Sequence, residues 1–106
     1  MSNLDKEISD KIFLKDLKNE FLKSVNQSII DFKIFLKTDD YENIRKTAHN
    51  LKGLSGIFGF EKGSELSKKV QISIDLKKYP ETKLYVAELI EYFQKDVIPE
   101  LNMEEK

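Results

Sequence analysis

Apolar residues recur at helical spacing along the first third of the chain, and nothing interrupts them. Phe13, Leu14, Leu17, Phe21, Val25, Ile29, Phe32 and Leu36 hold a period of about 3.6 residues. No glycine or proline occurs before Gly53. Such a run fits one long amphipathic helix, or a short helix followed by a long one, and it excludes a sheet as the organising element. A helix with one apolar stripe must bury that stripe against other helices.

The rest of the chain supplies them. The first helix is expected to end near Lys37-Thr38, with Asp39-Asp40-Tyr41-Glu42 as a turn and a new start. Asp39 with Glu42 three residues later has the pattern of a capping box, with Asp in place of Ser or Thr. A second helix is expected over about 40–58, stopped by Gly59 in a left-handed conformation, with Phe60 folding back on its last turn. A third, over about 60–78, directs Leu66, Val70, Ile74 and Leu76 inward. Pro80 suits the first turn of a fourth helix, whose stripe reads Leu84, Ala87, Ile90, Phe93 and Val97 and which Pro99 should end. Ser9 or Asp10 suits a helix start near the N-terminus, and the tail from Asn102 to Lys106 is polar and expected to be loose. Short loops between such segments make neighbours antiparallel. The expected fold is all-α: an antiparallel up-and-down four-helix bundle, with room for a short extra N-terminal helix. It forms a single domain over residues 1–106, with its core at about 13–100.

Composition narrows the chemistry. Charged residues make up 35% and the net charge is −1, which argues against nucleic acid or an anionic membrane as partner. There is no cysteine and one histidine, so thiolate chemistry, disulfides and His-rich metal sites are excluded. No apolar run approaches the roughly 18 residues that span a bilayer. The polar start Met1-Ser2-Asn3-Leu4-Asp5 has no signal-peptide core, so a cytoplasmic location is expected.

The single histidine sits in Ala48-His49-Asn50-Leu51-Lys52-Gly53-Leu54-Ser55-Gly56. On a helical wheel Lys52, Gly53, Gly56 and Arg45 fall within roughly 60° of His49. Ile44, Leu51, Leu54 and Phe58 lie about 140° to 180° away. The imidazole is therefore expected on the solvent face. Two glycines beside it each cost roughly 0.5–1 kcal/mol relative to alanine, so an idle surface histidine does not account for the pattern. Bare backbone, a cation and an exposed imidazole suit a phosphoryl group delivered by a second protein. Histidine is the neutral nitrogen nucleophile available near neutral pH.

The run Ala48-His49-x-Leu51-Lys52-Gly53, with Gly59 following, resembles the signature of histidine-containing phosphotransfer (HPt) domains, the monomeric helical-bundle phosphocarriers of phosphorelays. The resemblance covers about residues 13–100. It implies that His49 takes a phosphoryl group on its outer ring nitrogen from a receiver-domain aspartate, as in a hybrid sensor kinase. His49 would then pass the group to a response-regulator receiver. It implies that the receiver brings Mg²⁺ and most of the catalysis. The chain would bind no cofactor and would be a phosphotransferase without kinase activity of its own.

Lys52 would neutralise phosphate charge. Gln71 stands where the family carries Glu or Gln, and would hold the inner ring nitrogen. Gly53, Gly56, Ile57, Arg45 and Lys68 would meet the partner. Six basic against three acidic residues over residues 41–70 would steer an acidic receiver site toward this face. One departure stands out: relatives usually carry leucine four residues after Gly59, and here Gly63 predicts a looser or later start to the third helix. Two other readings compete. A scaffold or inhibitor could bind a receiver without transfer. An enzyme could use His49 as general base, but no Ser, Asp or Glu is placed to form a dyad with it.

Overall fold

The computed structural model describes residues 3–103, with side chains over 11–103. Its helices are α1 (Asn3–Lys37), α2 (Tyr41–Ile57), α3 (Glu61–Asp75) and α4 (Tyr79–Tyr92), followed by a π-helical turn (Phe93–Val97) and α5 (Ile98–Met103). The chain is an all-α, up-and-down helical bundle. Side-chain pairs show the antiparallel order. Phe21 near the start of the packed part of α1 stacks on Phe58 at the end of α2, with ring centroids 4.8 Å apart. Arg45 on α2 pairs with Asp75 at the end of α3. Lys83 on α4 reaches Asp39 after α1.

α1 is one continuous helix rather than a short helix and a long one, and both Ser9 and Asp10 lie inside it. At roughly 1.5 Å per residue it matches the 55 Å long axis of the molecule. Phe21, Val25, Ile29 and Phe32 are buried, but Phe13, Leu14 and Leu17 are exposed. Their spacing is that of the core, yet they lie on a part of α1 that runs past the ends of α2 and α3. Periodicity marks a face and does not report whether a neighbour covers it.

Three helix ends share one geometry. After α2, Gly59 has φ +80°, the Phe60 amide donates to the Ser55 carbonyl at 2.8 Å, and the Gly59 amide donates to the Gly56 carbonyl at 3.3 Å. This is the paired-bond stop expected at Gly59. Asp39 (φ 51°) and Lys77 (φ 57°) close α1 and α3 in the same way without glycine. Asp39 is thus spent on ending α1, and the cap of α2 is Asp40, not Asp39. The Asp40 side chain accepts from the Asn43 backbone amide at 3.3 Å and from the Asn43 side chain at 2.6 Å. α3 stops at Asp75, so Leu76 falls in the closing turn and is exposed rather than buried.

The expected stripe of the fourth helix holds toward its C-terminal end, where Phe93 and Val97 are buried and Ile90 packs on the core, and fails in its first turns. Leu84 and Ala87 face outward, and Thr82, Val86 and Leu89 face in. Residues 84–90 are apolar on several sides, so period alone does not choose a face. A buried hydroxyl pair marks the one adopted: Ser73 and Thr82 lie 2.6 Å apart, joining α3 to α4. Pro99 does not end the helix. The Ile98 amide donates to the Phe93 carbonyl across a five-residue turn, which widens the helix where the prolyl ring would otherwise meet the carbonyl four residues back. α5 then continues to Met103 and buries Leu101, so the first two tail residues are helical, while residues 104–106 lie outside those described.

Candidate functional site around His49

α2 turns Ile44, Ala48 and Leu51 into the core, which places His49 on the outer surface. From α3, Gln71 reaches across: its side-chain nitrogen lies 3.2 Å from His49 Nδ1. Gln71 is only 7% exposed, so its carboxamide is held by packing while the imidazole stays at the surface. The contact occupies the inner ring nitrogen and leaves Nε2 directed away from it. With the amide nitrogen donating, Nδ1 accepts and the ring proton resides on Nε2. With the amide turned over, its oxygen accepts from Nδ1–H, and Nε2 carries the lone pair.

A second rung lies one turn away. Arg45, four residues before His49, donates from Nε to Asp75 Oδ1 at 2.8 Å and from its terminal nitrogen to Oδ2 at 3.0 Å. Asp75 is four residues after Gln71, so the ion pair and the His49–Gln71 contact are successive ties between the same two helices. The guanidinium hydrogen bonds hold the Asp75 carboxyl below the usual carboxylate range. Arg45, expected to face a partner, is thus engaged within the bundle.

The other basic residues divide the same way. Lys46 pairs with Glu42 at 3.6 Å, Lys62 lies 5.5 Å over the Tyr92 ring, and Lys69 lies 5.8 Å over the Tyr85 ring. Lys52 and Lys68 have no hydrogen-bond, ion-pair or ring partner among the described residues. Lys52 is on the same stripe as His49 and lines a groove with His49, Gly53, Gly56, Ile57 and Ser64 of about 550 Å³.

Gly53 and Gly56 leave that stripe bare: a Cβ built on either would meet nothing within 4 Å. Ile57 beside them is 74% exposed. Gly63 is different. A Cβ there would lie 2.9 Å from Ser55 Oγ and 3.2 Å from the Tyr92 ring. It is buried, and α3 already starts at Glu61. The expected looser or later start is therefore overturned: Gly63 is where α3 packs closely on α2.

α1 adds residues that the sequence did not indicate. A second groove, also about 550 Å³, is lined by Ser24, Gln27 and Ser28 of α1 with His49, Asn50, Gly53, Leu54 and Ile57. Nothing in the types of Ser24, Gln27 and Ser28 announces a site. Only the α1–α2 packing brings them beside the histidine.

The Hpt domain family model matches residues 14–94. The chain belongs to the Hpt domain family. No curated protein and no solved structure matches it. Hpt domains serve phosphotransfer in two-component signalling and interact with receiver domains in phosphorelays. In this Hpt domain the match spans α1 from Leu14 through the start of the π-helical turn, and so contains His49, Lys52 and Gln71. Among the described residues no helix is long and apolar enough to cross a membrane.

Proposed function

We propose that this Hpt domain is a phosphocarrier. His49 Nε2 takes a phosphoryl group from a receiver-domain aspartate, such as that of a hybrid sensor kinase, and gives it to a response-regulator receiver. The observation that carries the reading is the His49–Gln71 contact: the inner nitrogen is occupied at 3.2 Å, on a surface stripe kept bare by Gly53 and Gly56. In the productive tautomer the Gln71 oxygen accepts from Nδ1–H. The Nε2 lone pair then forms the N–P bond as the phosphorus–oxygen bond to the aspartate breaks, and the aspartate leaves as a carboxylate. Lys52 faces the incoming charge with no partner among the described residues to give up. Mg²⁺ belongs to the receiver's acidic site, and the receiver supplies most of the stabilisation of the transition state. The two grooves that His49 lines lie open on the surface, which suits a docked protein better than a small substrate held in an enclosed site.

The test is transfer from a labelled phospho-receiver with Mg²⁺, run beside His49→Gln. A carrier takes up acid-labile, base-stable label that the variant lacks, while the variant still binds the receiver. Binding by both proteins with label on neither would establish a receiver-binding scaffold instead.

A further inference from the structure

Asp75 is the last residue of α3, where a carboxylate meets the negative end of the helix dipole. Its placement weakens α3 unless a cation answers it. Arg45 of α2 answers it with two bonds, at 2.8 and 3.0 Å. The two side chains are 45% and 52% exposed, so charge alone gives the pair little weight in the stability of the bundle. What the pair supplies is geometry. A guanidinium fork on a carboxylate fixes direction as well as distance, which a single bond does not.

That fixed point lies one turn from His49. Arg45 precedes His49 by four residues and Asp75 follows Gln71 by four, roughly 6 Å along each helix. On the other side of His49 the two helices are held by close packing, with Ser55 Oγ in the space that a Gly63 Cβ would need. The His49–Gln71 contact sits between these two ties. At 3.2 Å it is at the long end of the hydrogen-bond range, so a small extra separation of α2 and α3 weakens it steeply.

We propose that Arg45 and Asp75 are positioning residues for phosphoryl transfer. Their paired bonds hold the end of α3 against α2, which keeps the Gln71 oxygen on Nδ1–H and leaves the Nε2 lone pair outward. The inference rests on the phosphocarrier reading above. Neither residue touches the phosphoryl group, and both act through Gln71. The guanidinium is spent within the bundle rather than offered to a receiver.

The test uses the full chain with ¹⁵N-labelled imidazole, first alone at a pH that keeps the ring neutral, then with a purified phospho-receiver and Mg²⁺. In the wild type Nδ1 should carry the ring proton. Asp75→Ala and Arg45→Ala should each shift the ring toward the other tautomer, read from the two nitrogen chemical shifts. Each should slow single-turnover transfer at saturating receiver about fivefold, with Kd within about twofold of wild type. Asp75→Ala also removes an unfavourable end charge from α3, so thermal melting should stay near wild type. The double variant should be no slower than either single one. In a Gln71→Met background Asp75→Ala should add less than about twofold, because the effect passes through Gln71. Glu91→Ala, which breaks a 2.7 Å ion pair with Lys95, should move neither readout. Unchanged nitrogen shifts and transfer rate in Asp75→Ala, beside a wild type that transfers normally, would overturn the inference and leave the phosphocarrier reading standing. A raised Kd for Arg45→Ala, with Asp75→Ala binding and transferring as the wild type does, would make Arg45 a receiver contact and overturn it also. A wild type that takes label from no receiver would overturn the phosphocarrier reading, and this inference with it.

Discussion

Gly53 and Gly63 lie on adjacent helices and are glycine for opposite reasons. At Gly63 the missing side chain is filled from outside: Ser55 Oγ and the Tyr92 ring occupy the space a Cβ would need. At Gly53 the space stays open, with nothing within 4 Å. The first glycine serves the bundle by letting α3 close on α2, which supports the reach of Gln71 to His49. The second weakens its own helix and leaves the surface beside His49 uncovered. A glycine that costs helix stability without being filled by the fold points to something outside the fold.

Substitutions should separate the two. Gly63→Leu places four carbons in an occupied space and should cost about 3 kcal/mol or more in thermal or denaturant unfolding. Stability near wild type would show that α3 can move aside freely. Gly53→Glu should leave unfolding nearly unchanged yet weaken receiver binding by about 30-fold or more, through bulk and negative charge on the docking stripe. Normal titration of the receiver by that variant would place the interface elsewhere.

The histidine's placement was legible in the sequence because Ile44, Leu51 and Phe58 mark the opposite side of α2. The stop at Gly59 was legible because a left-handed residue after a helix favours glycine. Asp39 and Lys77 adopt that conformation without the residue that advertises it, so the residue pattern puts the α2 cap one position early and makes α3 too long. Pro99 stood as a stop because the π-helical turn that accommodates it has no signature in residue type. Phe13 and Leu17 keep the core period where there is no core. In the site, Gln71 could be placed because the resemblance implies a Glu or Gln at that position on the next helix. Ser24, Gln27 and Ser28 could not, because their nearness to His49 follows from how α1 packs on α2.

Smaller effects sharpen the comparison. Lys52→Ala should slow phosphoryl transfer by about tenfold, with the fold intact, because a cation beside His49 that has no partner among the described residues is removed. Unchanged single-turnover kinetics would remove Lys52 from the site. Gly53→Ala should stabilise the domain by about 0.5–1 kcal/mol, and Gly63→Ala should destabilise it. A gain at both positions in chemical denaturation would erase the distinction between a filled and an open glycine.

The central claim is that the outer nitrogen of one imidazole carries the phosphoryl group. With a single histidine in the chain, ¹⁵N-labelled imidazole gives an unambiguous signal. Nitrogen and phosphorus NMR after incubation with a phospho-receiver and Mg²⁺ should show the N–P bond at Nε2 of His49, with Nδ1 still hydrogen-bonded to Gln71. A phosphoryl group on Nδ1, or a labelled protein whose imidazole is unchanged, would contradict the account.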